Sequence, residues 1–193
     1  MRRMAMAPVP STCLRGGDAT MRQAERRART IGALLDAAEA SFARYGYEGT
    51  SLDAVASAAG CSKGAVYAHF TSKLEVLQAV MERVFERAGQ RLERVAAELA
   101  AGHDPATAAH ACFGQEDDAI HVGVMAETWQ VAVLDPGIRE QLEAFRESRL
   151  VLLGHAAISA GMGPVAAMQT ADMTARLIDG FTLEHRLKRA ESA

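Results

Sequence analysis

The stretch Thr50-Ser51-Leu52-Asp53-Ala54-Val55-Ala56-Ser57-Ala58-Ala59-Gly60-Cys61-Ser62-Lys63-Gly64-Ala65-Val66-Tyr67-Ala68-His69-Phe70-Thr71-Ser72-Lys73 reads as two short helices joined by a tight turn, followed by the start of a third. Leu52, Val55, Ala56 and Ala59 recur at helical spacing and give the first short helix one apolar face. Thr50 is the expected N-cap, with Asp53 three residues on near the positive helix end. Gly60 falls where the chain must leave a helix in a left-handed conformation. Ser62 caps the next helix, whose polar face carries Lys63, Gly64 and Tyr67 while Val66 and Phe70 turn to a core. Ser72 with Glu75 makes a capping box for the helix that follows. This is the pattern of a helix-turn-helix, in which the second short helix enters the major groove of DNA.

Gly46-Tyr47-Glu48-Gly49-Thr50-Ser51, Val55-Ala56-Ser57-Ala58-Ala59-Gly60, Ser62-Lys63-Gly64-Ala65-Val66-Tyr67-Ala68-His69-Phe70 and Ser72-Lys73 together resemble the N-terminal domain of the tetracycline-repressor (TetR) family over about 45 residues, Arg29 to Lys73. The rest of the chain is similar to that family only in helical character. The resemblance implies an all-α protein with an N-terminal three-helix helix-turn-helix DNA-binding domain and a C-terminal helical ligand-binding and dimerisation domain. The expected divisions are an unstructured extension over 1–21, the DNA-binding domain over 22–72, and the effector and dimerisation domain over 73–193.

Composition agrees with a helical chain. Of 193 residues, five are Pro and ten are Phe, Tyr or Trp, while alanine is abundant. The length allows a sizeable core in one or two domains. Cys13, Cys61 and Cys112 are odd in number and share no disulfide or metal spacing, so they read as free thiols of a reducing cytoplasm. No apolar run approaches the ~20 residues of a membrane helix. The net charge of −3 conceals an asymmetry. Residues 1–75 hold 10 Lys and Arg against 7 Asp and Glu, and the remainder hold 11 against 17. A mildly basic front and an acidic rear suit a protein that presents one end to phosphate.

Residues 1–20 contain Pro8, Pro10, Gly16 and Gly17 without periodicity and are expected to be disordered. They are either an idle extension or a basic arm in which Arg2, Arg3 and Arg15 touch DNA. Eight helices are expected: about 24–45, 51–59, 62–69, 73–101, 106–113, 119–134, 137–160 and 165–189, with a turn at 114–118. Ile31, Leu34, Leu35, Ala38 and Phe42 form the apolar stripe of the first.

Seven residues are candidates for DNA contact: Thr50, Ser62, Lys63, Gly64, Tyr67, His69 and Lys73. Lys63 can reach base edges or phosphate from the start of the recognition helix. Gly64 permits close approach of the helix to the groove, or is a helix-start glycine of no consequence. The resemblance makes Tyr67, His69 and Lys73 phosphate contacts. Tyr67 also reads as a half-buried ring and His69 as a histidine packed on the first helix. Thr50 and Ser62 offer hydroxyl or N–H groups to phosphate, or act only as caps.

The resemblance further implies a homodimer through the last two long helices, where Ile138, Leu142, Phe145, Leu152 and Ala156, and Met168, Met173, Leu177, Ile178 and Phe181, lie at helical steps. Such helices can also pack within one protomer. It places a ligand site among the middle helices, for which His110, Cys112, Phe113, His121, Met125, Trp129 and Phe145 are the candidates. Apolar walls with a few polar anchors suit a small hydrophobic or aromatic effector. No cofactor or metal is expected, since His110, Cys112 and His121 match no compact metal motif. Nothing resembles a phosphate loop or nucleophile elbow, so no enzyme is expected. The leading function is a cytoplasmic ligand-responsive regulator, most simply a repressor, released from palindromic operator DNA by its effector. The alternative is an architectural or chromosome-organising DNA-binding protein of the same fold without an inducer.

Overall fold

The computed structural model describes residues 15–113 and 119–190; the first fourteen residues and the turn expected at 114–118 lie outside the described residues. The described chain forms eight helices: α1 (Arg15–Gly49), α2 (Leu52–Ala58), α3 (Lys63–Tyr67), α4 (Lys73–Ala100), α5 (Pro105–Phe113), α6 (Ala119–Leu134), α7 (Pro136–Ser159) and α8 (Pro164–Ala190). Order, number and most bounds match the sequence pattern. The start of α1 does not. Residues 15–21, expected to be unstructured, are helical. From Asp18 to Ala24 no Gly or Pro intervenes, so the local sequence contains nothing that breaks a helix there.

Helix starts are set by local chemistry. The Ser62 side chain accepts the Ala65 N–H at 3.2 Å, and Ser72 accepts the Glu75 N–H at 3.1 Å. The cap of α2 is Ser51, which accepts the Ala54 N–H at 3.1 Å, and not Thr50. Thr50 is buried, and its hydroxyl donates to Gly46 O at 2.8 Å. Pro105, Pro136 and Pro164 each open a helix, where a missing N–H costs nothing. Asp104 and Asp135 supply acceptors in front of the first two.

Two buried clusters organise the chain. The first joins Leu34, Ala38 and Phe42 of α1, Val55 and Val66 of the short helices, Leu77, Val80, Met81 and Val84 of α4, Val124 of α6, and Ile138 and Leu142 of α7. The second joins Leu92, Val95 and Leu99 of α4, Ala108 and Ala109 of α5, Leu153 of α7, and Ala171, Ala175 and Ile178 of α8. The first cluster continues across the boundary expected at residues 72 and 73, so the helix-turn-helix shares its core with α4, α6 and α7. Helix α6 is apolar on nearly every face, and it packs on α1, α4, α7 and α8.

The α1–α6 crossing is close. A Cβ at Gly123 would lie 2.7 Å from the Ala43 Cβ and 2.8 Å from its Cα, so only glycine lets the backbones meet. One turn further along, α1 breaks at Gly46, whose φ of 76° and ψ of 172° are closed to other residues. The break frees the Tyr47 N–H, which donates to Glu127 Oε2 of α6 at 2.9 Å.

The junction into α4 carries a pH dependence. The Glu75 carboxylate accepts from the Thr71 N–H at 2.6 Å and the Thr71 hydroxyl at 2.8 Å, which holds its carboxyl below the ordinary value of 4.5. A depressed folded value means stabilisation that is present above the unfolded value and lost as pH falls through the folded one. Melting temperature should therefore drop as pH falls below about 4.5, and Glu75→Gln should flatten part of that drop, as read by circular dichroism between neutral pH and pH 3.

Candidate DNA-reading face and internal cavity

Helix α3 turns Val66 into the core and leaves Lys63, Gly64 and Tyr67 outside, with Ser62 and Ala68 exposed at its two ends. These residues share the exposed side of α3 and its two flanks. Gly60, at φ 65°, makes the turn that presents it. A Cβ at Gly64 would meet nothing nearer than the Ser62 Oγ at 3.9 Å. The interior therefore does not require glycine there.

The seven sequence candidates separate. Ser62, Lys63, Gly64 and Tyr67 share the outer face. Lys63 forms an exposed ion pair with Asp53 of α2, which raises its pKa. Any phosphate must compete with that carboxylate. Thr50 is turned inward and does not belong to this face. His69 is half-buried, with Nδ1 enclosed and without a hydrogen-bond partner. Lys73 is used internally: its ammonium donates to Tyr47 O at 2.8 Å and lies 4.4 Å from the centre of the Tyr47 ring. It thus closes the carbonyl end of α1 against the start of α4. Sequence spacing placed Lys73 beside a helix N-terminus but could not show a contact 26 residues away.

Beside the two buried clusters lies a cavity of about 420 Å³, partly open to solvent. Ala88 and Leu92 of α4, Phe113 of α5, His121, Met125, Ala126, Trp129 and Gln130 of α6, Phe145 and Arg149 of α7, and Ile178, Asp179 and Leu183 of α8 line it. Phe113, His121, Met125, Trp129 and Phe145 from the sequence candidates are on its wall. His110 is not: it is exposed and its ring lies 5.5 Å from that of Phe181. Cys112 packs against the second cluster and also stays off the wall. Phe145 is stacked on Phe85 at 4.2 Å, which fixes its ring.

Sequence reading missed the one ion pair on this wall. Arg149 Nη1 donates to Asp179 Oδ1 at 2.6 Å and Nη2 to Oδ2 at 3.0 Å. A signal existed, since Arg149 falls four residues after Phe145 on the apolar stripe of α7. Among the described residues no group of three His, Cys, Asp or Glu is placed to hold a metal ion, and no helix is long and apolar enough to cross a membrane.

A two-helix reading head on a helical body with an internal cavity defines the class as a helix-turn-helix protein. The family model for bacterial regulatory proteins of the tetR family matches residues 34–80. The helix-turn-helix segment of the chain is thus similar to the DNA-binding domain of the TetR family. It is 50% identical over 48 residues to the HTH-type transcriptional regulator SrpR of Pseudomonas putida, a match covering 25% of this chain and 22% of that one. The matched segments span 22% to 38% of the length of the curated relatives it matches. Among solved structures it is similar to a transcriptional regulator from Rhodococcus, with a TM-score of 0.63, 29% identity and 82% of each chain covered. It is also similar to SmeT in complex with triclosan, with a TM-score of 0.61, 26% identity and 82% of each chain covered.

The open space around Gly64 generates a prediction. Gly64→Ala should leave the melting temperature unchanged or raised, because alanine favours helix by roughly 0.5–1 kcal/mol. The same variant should lose DNA affinity through steric contact with the groove. Thermal melts and fluorescence anisotropy on duplex DNA read the two effects apart. Unchanged DNA affinity would remove Gly64 from the interface.

Proposed function

We propose that the chain is a transcriptional regulator that binds palindromic operator DNA as a homodimer through Ser62, Lys63, Gly64 and Tyr67, and that a small, largely apolar effector in the internal cavity releases it, which makes repression the simplest sign. The observation that carries this reading is the cavity itself. It is large enough for a drug-sized ligand, and its α6 wall is bonded to the reading head through Glu127 and Tyr47. An architectural protein has no use for such a space, and a sealed core would have favoured that alternative. Its site of action is DNA in the cytoplasm.

The dimer face follows from what the protomer leaves uncovered. Ile138, Leu142, Ala156 and Ile178 are buried within one protomer, and Leu177 and Phe181 pack against its second cluster. They are therefore unavailable to a partner as principal contacts. Val151 and Ile158 of α7, with Val165, Met168 and Met173 of α8, are each about half exposed or more. This apolar surface suits a second copy, and two-fold symmetry is what a palindromic site needs. Ile158→Glu should yield monomers by sedimentation with little change in helix content. Phe181→Glu should instead lower the melting temperature, because it places a charge against the second buried cluster of the protomer.

The effector arm is tested by linkage. A ligand found by thermal-shift screening should bind more weakly when DNA selected from a random pool is present, by the same factor with which it weakens DNA binding. Calorimetry with and without that DNA measures it. Equal ligand affinity in both cases would show that the cavity does not control DNA binding for that ligand.

A further inference from the structure

The first turns of α1 carry charge that the fold does not engage. Residues 21–30 hold Arg22, Arg26, Arg27 and Arg29 against a single acid, Glu25, and all four arginines are exposed. Elsewhere arginine is held by carboxylates: Arg83 by Asp36, Arg87 by Glu39, Arg149 by Asp179 and Arg176 by Asp172. Arg26, Arg27 and Arg29 meet no carboxylate among the described residues. Ile31 is the first described residue of α1 to pack against either buried cluster, so the basic turns lie outside the core. Their place along α1 is fixed by its neighbours. The helix meets α6 at its C-terminal end, through Ala43 and Tyr47. Nearer its middle, Ala33 and Ala37 line an open groove with Ala58 and Ala59 at the end of α2. The turn at Gly60 and Cys61 follows, and then Ser62, the cap of α3. Upstream of Ala33, α1 therefore runs past the reading head and away from α6. At 1.5 Å per residue, Arg29 lies about 6 Å and Arg22 about 16 Å along the helix from Ala33.

We infer that the start of α1 is a second DNA-contacting element, which grips the phosphate backbone beside the base pairs that α3 reads. This rests on the reading of α3 as the DNA-reading helix. Exposed guanidinium groups match phosphate in charge and in hydrogen-bonding geometry. A reach of 6–16 Å corresponds to about two to five nucleotide steps along one strand, at 3.4 Å each. A membrane surface is the poorer partner. Met21 is the only large apolar side chain in residues 21–30, and a helix that lies on lipid needs an apolar face to bury. Phosphate contacts position a protein on the duplex and carry no sequence information. The basic turns therefore add affinity for every sequence alike, and leave discrimination to α3.

The test combines Arg22→Gln, Arg26→Gln, Arg27→Gln and Arg29→Gln in one variant. Glutamine is close to arginine in helix propensity and none of the four is buried, so the melting temperature should hold. Arg94→Gln removes an exposed charge from the part of α4 that packs in the second cluster, and serves as the control. The probes are duplexes selected by the wild-type protein from a random pool, and scrambled versions of them. Fluorescence anisotropy over a salt series should give the variant a slope of log affinity against log salt that is shallower by at least about 2, since each phosphate contact contributes about 0.9 and a homodimer makes each one twice. Affinity should fall on the order of tenfold or more, by the same factor on selected and scrambled duplexes. Ethylation of single phosphates should interfere with wild-type binding about two to five nucleotides from the read bases, and should no longer do so with the variant. An unchanged slope, or one lowered as far by Arg94→Gln, would overturn the inference. So would a loss confined to the selected duplex, which would make the arginines base readers, or wild-type ethylation interference that never leaves the read bases. Wild-type protein carried down by phosphatidylserine vesicles, with the variant left behind and its DNA slope intact, would overturn it in favour of a membrane surface. All of these leave the reading of α3 standing. If the wild-type protein selects no duplex and binds none, that reading falls, and this inference with it.

Discussion

The crossing of α1 and α6 is the constraint on which the rest of the structure depends. Gly123 lets the α6 backbone lie directly against Ala43, and three residues beyond Ala43 the helix breaks at Gly46. The freed Tyr47 N–H finds its acceptor in Glu127 on α6, one turn from Gly123. A buried N–H without a partner would cost about 1–3 kcal/mol, so the bond and the break support each other. The segment that follows, Tyr47 to Ser51, leads straight into α2 and the reading helix. The position of α6 therefore sets where the reading head begins.

Helix α4 is a long element that runs from the head into the body, with buried residues in both clusters. It is not the sole connection. The same helix that carries Glu127 also carries His121, Met125 and Trp129, which line the cavity. Under the proposed function, a ligand in the cavity would touch both α4, through Ala88 and Leu92, and α6. Packed interiors shift between discrete arrangements and do not deform smoothly. A ligand that favours one placement of α6 must then move Glu127, and with it the chain that enters the reading head.

The local part of this was legible in the sequence. Ser62 and Ser72 as caps and Gly60 as a left-handed turn are decided by neighbours within four residues, and sequence displays those directly. Thr50 misled for the same reason: Thr50 and Ser51 both fit a cap, and only the inward hydrogen bond to Gly46 O separates them. The bond from Lys73 to Tyr47 O was not legible, because that partner lies 26 residues away. The cavity wall was partly readable from the aromatic and methionine side chains of α6 and α7. Arg149 and Asp179 were overlooked, although a charge on an apolar stripe asks for a partner on the facing helix. His110 shares a short helix with Phe113, and nothing in its spacing shows that it faces solvent.

The most direct measurement is the coupling between ligand and DNA in wild-type protein and in Glu127→Ala. Ligand dissociation constants are taken with and without operator DNA for both. If α6 transmits the signal through the Tyr47 N–H, wild-type protein shows a coupling factor in the usual range of about 5–150, and in Glu127→Ala the factor falls toward one while ligand binding to the DNA-free protein persists. The same coupling factor in both proteins would contradict the role given to this contact.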